Sequence, residues 1–256
     1  MSLTKAVLRF AAPVPDPEGF RRVLFIGPHP DDIEIGAGAT AAKLAAEGKE
    51  LCFLICIDGR YGSGNAPAGV REDALARLRQ EEARKSAELL GVKDIRFLNL
   101  CDGGFYSRQE LTEGIARVVG DFAPELIFAP DPRVPTECHR DHLNVGEAAM
   151  QLACFAPYGD IMTRYGAKAA PVQALALYMT AKPNRYVSVG PWMKAQEQAI
   201  FACHQSQFPK GCGEGKAIQA YLTLRSLDFG LRSMKGRAEG FRVLSQTHMH
   251  CLPEQL

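Results

Sequence analysis

The chain has 256 residues, 46% of them hydrophobic and 23% charged, which suits one sizeable core and argues against large-scale disorder. Its 30 Lys and Arg nearly balance 29 Asp and Glu with no basic stripe, so binding to nucleic acid or acidic lipid through bulk charge has no support. No apolar run reaches membrane-spanning length, and the first twenty residues carry no signal-peptide core, so a cytoplasmic protein without a membrane span is expected.

Residues 1–20 read as an N-terminal extension. Residues 23–27 (VLFIG) read as a buried strand, and 38–47 as an Ala-rich helix closed by Gly48. A second strand at 51–57 (LCFLICI) leads into a loop at 58–70 rich in Gly, Pro, Asn and Ser. A long helix spans about 71–90 and stops at Gly91; a third strand follows at 95–98, a helix at 108–120 and a fourth strand at 125–129. A loop with Pro130, Pro132 and Pro135 precedes a helix over about 140–154. This alternation predicts a parallel sheet with helices on both faces. Beyond 155 the candidates are strands at 173–179 and 185–189, helices at 191–203 and 215–232, an apolar piece at 241–244, and a tail from 245 to 256. With no linker and no internal repeat, residues 1–256 read as a single domain.

The eight cysteines contain no C-x-x-C pair, and Cys52 and Cys56 sit inside an apolar run. They are expected to be reduced, buried small hydrophobes rather than disulfide or zinc-ribbon partners.

The first chemical signal is "PHPDDIEIG" at 28–36, in the loop after the first strand. In an open parallel sheet, such loops at the carboxyl ends of strands line the ligand crevice. His29 with one of two adjacent carboxylates, Asp31 and Asp32, can hold a metal while the other faces a water on it. A turn with an Asp N-cap also accounts for the stretch taken alone. The G-x-G at 36–38 is explained by close helix–strand packing more simply than by a dinucleotide, since acids stand where a pyrophosphate needs glycines.

The second signal, "TECHRDHLNVGEA" at 136–148, follows the fourth strand. His139 and His142 at i, i+3 on a helix start present toward one side. Two such loops converging on one crevice supply a His/Asp/His set with an open position, which suits Zn2+ and does not exclude Fe2+, Co2+ or Mn2+. An ion there acidifies water and polarises a carbonyl, and the spare Asp and His fit the roles of base and acid in amide cleavage.

The pair "PHPDDIEIG" and "HRDH" resembles the LmbE/PIG-L family of metal-dependent N-acetyl-sugar deacetylases, whose motifs are A-H-P-D-D-E and H-x-D-H. Pro28 and Ile33 depart from the first motif, with Glu34 one place later. "RQEEARKSAELLGV" (79–92), Asp102, "ACHQSQF" (202–208) and "AEGF" (238–241) extend the likeness over roughly 22–244. The resemblance implies an α/β, Rossmann-like three-layer sandwich about a mostly parallel sheet. It implies His29, Asp32 and His142 as metal ligands, Asp31 as general base, His139 as oxyanion stabiliser and acid, and Asp141 as the residue orienting His139. Arg79 and Asp102 are implied as contacts to sugar hydroxyls, which suits a donor and an acceptor. The tail "THMHCLPE" resembles that of diacetylchitobiose deacetylases, implying that His250 or His248 reaches a neighbouring subunit's site in a homo-oligomer, a trimer or hexamer. The expected reaction is hydrolysis of the N-acetyl group of an N-acetylglucosamine-type sugar. The competing readings are an amidase on a larger sugar-linked amide and a sugar- or nucleotide-binding protein that does not hydrolyse.

Overall fold

The computed structural model describes residues 3–252. In chain order the first elements are α1 (Leu3–Ala11), β1 (Arg22–Gly27), α2 (Asp32–Ala46), β2 (Glu50–Ile57), α3 (Glu72–Leu89) and β3 (Asp94–Leu100). They are followed by α4 (Arg108–Phe122), β4 (Leu126–Pro130), α5 (Arg140–Phe155), α6 (Gly159–Arg164) and β5 (Ala174–Tyr178). The remainder is β6 (Arg185–Ser188), α7 (Met193–Gln198), α8 (Gly213–Ser233), β7 (Ala238–Ser245) and α9 (Gln246–His250).

The seven strands form one sheet in the order β3-β2-β1-β4-β5-β7-β6. The first five are mutually parallel, and β7 runs antiparallel to both β5 and β6. The sheet is therefore mostly parallel, as the strand–helix alternation predicts. Period-two alternation along β1 splits the core: Leu24 and Ile26 face α4 and α5, whereas Val23 and Phe25 face α2 and α7. Both faces are buried, which is why β1, β2 and β4 read as continuous apolar runs. The strand order reverses at β1, whose neighbours are β2 and β4, so the loops leaving the carboxyl ends of β1 and β4 flank the crevice of the fold.

Three differences from the sequence reading bear on the site. α2 begins at Asp32, six residues earlier than the Ala-rich run suggests, and breaks at Ala37 (φ −152°). The break lies between Gly36 and Gly38, where a Cβ would come within 2.2 Å of the Tyr178 ring and 3.1 Å of Gln196 respectively, so the G-x-G serves close packing. The expected helix at 191–203 is α7 followed by a π-helical turn, Ala199–Cys203, that delivers His204. The eight cysteines are free, but only Cys52 and Cys56 are buried; the other six lie outside strand interiors and are partly or fully exposed.

Candidate active site

Residues 28–31 form the turn from β1 into α2. Asp31 takes the N-cap position with φ of 118°, a backbone conformation that costs about 1–3 kcal/mol for a residue bearing a side chain. Its carboxylate caps nothing. It instead accepts from Arg79 Nη2 at 3.2 Å, and the same guanidinium donates to the carbonyls of Pro30 (2.8 Å) and Gly59 (3.0 Å). Both side chains are buried. Burial raises the Asp31 carboxyl to about 6; the Arg79 charge works against that rise and the Asp32 charge adds to it.

Asp32, one residue on, points the other way. Its Oδ2 accepts from the His29 backbone N–H at 2.8 Å and lies 3.3 Å from His29 Nδ1 and 3.5 Å from His142 Nε2. The neighbours fix the tautomers of both rings. His29 Nε2 faces the carboxylates of Asp141 (3.1 Å) and Asp102 (3.3 Å), and His142 Nδ1 faces Glu137 Oε2 at 3.0 Å. Burial opposes ionisation of all three acids, but their hydrogen bonds outweigh it and hold them below the usual carboxylate range. An ionised carboxylate only accepts, so the proton of each ring sits on the nitrogen that faces it. In the neutral rings that leaves His29 Nδ1 and His142 Nε2 as lone pairs aimed at an anionic oxygen. Three acceptors converging without a proton between them are relieved by a cation, so His29, Asp32 and His142 fit a metal ion. With no ion present, burial disfavours charge on the His29 ring, yet its hydrogen bonds to Asp102, Asp141 and Asp32 outweigh that and hold its pKa well above the ordinary value, so a second proton on Nδ1 then supplies the positive charge that a metal ion would replace.

A second group, His29, Asp102, His139 and Asp141, also has ligand atoms close together. Its carboxylates are otherwise engaged. Asp141 Oδ2 accepts from Gly103 N–H (2.9 Å) and Oδ1 from the Tyr106 hydroxyl (2.8 Å), while Asp102 Oδ2 accepts from Tyr61 N–H (3.1 Å). These groups hold His29 in place. The ligand set shared by His29 therefore lies on its Nδ1 side.

His139 caps α5, its Nδ1 accepting from Asp141 N–H at 3.3 Å, and leaves its side chain 47% exposed toward solvent. Its ring stacks on His142 at 4.8 Å and meets the His29 ring edge at 4.9 Å. Burial and the charges of His29 and His142 lower its pKa. Glu137 ties the pair together, accepting from His139 N–H (2.7 Å) and from His142 Nδ1. A cavity of about 230 Å3 opens beside Asp32 and His142, with Pro130, Asp131, Tyr178 and Tyr221 among its walls.

Thus the two motifs meet in one crevice, and the surrounding residues take the following places. Asp141 lies 3.9 Å from His139 Nδ1 and bonds to His29 instead, because Gly103 and Tyr106 draw its carboxylate toward that side. Arg79 and Asp102 are only 4% and 6% exposed, turned toward Asp31 and His29 rather than outward. His248 closes a capping box with Ser245 and reaches the Ala12 carbonyl at 3.2 Å. His250 lies against Cys154 (3.4 Å) and the Tyr158 ring, twelve residues along α5 from His142, about 18 Å at 1.5 Å per residue.

Sequence reasoning missed Glu137, Tyr106 and the buried pair of Glu34 and His204. Glu137 lies inside the quoted second motif, so its position five residues before His142 was the available signal. His204 Nε2 is 3.2 Å from Glu34 Oε1, which also accepts from Ser86. Ile33, by contrast, is fully buried among Phe25 and Ile55, so in the first motif the acid occupies the place after it, facing α3 and His204.

The sequence profile of the family described as PIG-L, GlcNAc-PI de-N-acetylase, matches residues 24–153, which include both motifs. The chain belongs to the PIG-L family. Within it, a diacetylchitobiose deacetylase from Thermococcus kodakarensis is 34% identical over 238 residues, 91% of this chain and 86% of that one. A 1D-myo-inositol 2-acetamido-2-deoxy-alpha-D-glucopyranoside deacetylase from Kineococcus radiotolerans is 32% identical over 65% of this chain, which spans 54% of that protein. An inhibitor-bound N,N'-diacetylchitobiose deacetylase from Pyrococcus horikoshii superposes with a TM-score of 0.86 at 30% identity, covering 99% of this chain and 97% of that one. Among the described residues, no helix is long and apolar enough to cross a membrane.

Proposed function

We propose that this protein is a zinc-dependent N-deacetylase that hydrolyses the acetamide of an N-acetylglucosamine-type sugar. The observation that carries the reading is the convergence of His29 Nδ1 and His142 Nε2 on Asp32 Oδ2, with the ionisable Asp31 beside it. The relatives named as sugar deacetylases support the substrate class. A Zn2+ ion held by His29, Asp32 and His142 would supply Lewis acidity toward an amide carbonyl and a water.

The chain's own residues then divide the proton work. Asp31, raised to about 6 by burial, is ionised at neutral pH and accepts the proton of the attacking water. Arg79 holds its carboxylate in place through one of three bonds. His139, exposed at the mouth of the site, stabilises the developing oxyanion through its N–H and relays to the leaving amine the proton that Asp31 takes up. Asp102 and Asp141 fix the His29 ring, and Glu137 the His142 ring. A homo-oligomer is supported by α8, which exposes Leu224, Leu227 and Leu231 at heptad spacing.

The test is elemental analysis of the purified protein, followed by free-amine release from a panel of N-acetylated sugars. Bound zinc with release from at least one sugar is expected. A metal-free protein that cleaves none of them defeats the proposal.

A further inference from the structure

Amide hydrolysis sets four groups around one carbon: the incoming hydroxyl, the oxyanion, the leaving amine and the acyl chain. In the deacetylase reading Asp31 serves the first, and His139 serves the oxyanion and the amine. The acyl chain asks for neither charge nor proton, only for apolar space. The 230 Å3 cavity beside Asp32 and His142 supplies it, and neither Asp31 nor His139 is among its walls.

Its apolar surface comes from Ile35, Val134, Met179 and Tyr221, between Pro28 and Pro130. Ile35 stands one turn along α2 from Asp32, on the same side of the helix. Apart from Asp32, the carboxylates in the wall are already engaged. Asp131 accepts from Arg133 N–H (3.0 Å) and from the Thr180 hydroxyl (2.6 Å), and Glu137 holds His139 and His142. The outer wall is held in a set shape. Met179 has φ of 54°, a left-handed backbone that is costly for a residue with a Cβ. Asp131 pins it from both sides, donating its N–H to the Tyr178 carbonyl (3.0 Å) and taking the Thr180 hydroxyl on its carboxylate. Arg225 on α8 donates to the Met179 sulfur at 3.2 Å and lies 5.7 Å over the Tyr221 ring, so it joins these two walls. A thioether on a flexible stem moulds itself to whatever apolar group enters.

An acetyl group ends in one methyl, which fills about the space of one water, roughly 30 Å3. A cavity of 230 Å3 is several times too large for it. We propose that this cavity is the acyl subsite and that it accepts N-acyl chains of at least four carbons, with Val134 and Met179 setting the length. The proposal rests on the deacetylase reading and extends its substrate class from N-acetyl to N-propionyl and N-butyryl amino sugars.

The experiment measures amine release from N-acetyl-, N-propionyl- and N-butyrylglucosamine by the wild type, Val134→Phe and Met179→Ala. Each methylene buried should raise the wild-type kcat/KM about fourfold. Val134→Phe fills the cavity and should lower the butyryl-to-acetyl ratio of kcat/KM about tenfold. Met179→Ala strips an apolar wall and should lower it about threefold. A wild type that cleaves the butyryl sugar no better than the acetyl sugar, or a ratio unchanged in both variants, overturns the subsite. If the wild type cleaves none of the three, the deacetylase reading has failed, and calorimetric titration of the Zn2+-supplemented protein with acetate, propionate and butyrate decides the subsite by itself. Affinity that tightens with chain length, and less steeply in Val134→Phe, supports it; absent binding, or equal binding of the three acids, overturns it.

Discussion

Arg79 Nη2 lies 3.2 Å from Asp31 Oδ2 with both side chains buried, and the same guanidinium holds the carbonyl of Pro30 in the turn and that of Gly59 in the loop after β2. One side chain therefore sets the charge beside the candidate base and the shape of the loop that carries it. Lys in its place keeps the charge but has a single head, which cannot meet three acceptors at these positions. Arg79→Lys should lower kcat about 10–100-fold by misplacing Asp31, with metal content unchanged. Arg79→Ala leaves a buried carboxylate unpaired and should cost about 3–5 kcal/mol of stability. Steady-state kinetics with urea unfolding of both variants checks this; a fully active Arg79→Lys would contradict it.

The adjacent aspartates should separate cleanly. Asp31→Asn should retain the metal and lose about 10²–10⁴-fold in turnover, the usual scale of a general base. His142→Ala should lose both metal and turnover. The competing idea of a non-hydrolytic binder expects Asp31→Asn to be tolerated. Elemental analysis and amine release on the same preparations distinguish the two.

Removing the ion should be reversible and visible in stability. A strong chelator should abolish turnover and lower the unfolding temperature, since a ligand bound only by the native state stabilises it by mass action. Added Zn2+ should restore both. Turnover that survives exhaustive chelation would contradict the assignment of His29, Asp32 and His142.

His204 supplies a pH test of folding away from those ligands. Burial opposes its charge, but Glu34, with further help from Asp31 and Glu82, outweighs burial and raises its pKa above 6.5. The folded state thus holds the proton more tightly than the unfolded one. The extra stability is complete below about pH 6.5 and is lost as pH climbs through the raised value. Glu34→Gln should be less stable than wild type at low pH and converge toward it at high pH. Urea midpoints between about pH 5.5 and 8.5 read this directly, and parallel curves would refute it.

Gly36 tests the packing behind the site. A Cβ there would come within 2.2 Å of Tyr178, whose hydroxyl is fixed on the Ile26 carbonyl at 2.8 Å. Gly36→Ala should destabilise by about 1–3 kcal/mol through overpacking, or roughly 2–4 °C of melting temperature per kcal/mol. Calorimetry measures it, and an unshifted melting temperature would contradict the fit.

How far the sequence reveals this molecule follows from which forces act locally. β1, β2 and β4 are legible because burial on both faces makes them apolar throughout. His29, Asp32 and His142 are legible because loops after parallel strands meet by topology alone. The start of α2 is not, because the break at Ala37 answers to Tyr178 and Gln196, more than 140 residues away in the chain. Likewise, the resemblance places Arg79 among contacts to sugar hydroxyls, and only the folded chain shows its guanidinium bonded to Pro30, Gly59 and Asp31. The short helices α1, α6 and α9 escape because nine or fewer residues give too little periodicity.

The backbone at Asp31 carries a last consequence. A residue held at φ of 118° is one that folding alone would assign to glycine, while the reaction assigned to this site asks for a carboxylate. Stability and turnover therefore select in opposite directions at one position. A library screened only for heat resistance should drift away from Asp31, and one screened for activity should keep it and gather its compensating gains elsewhere in the fold.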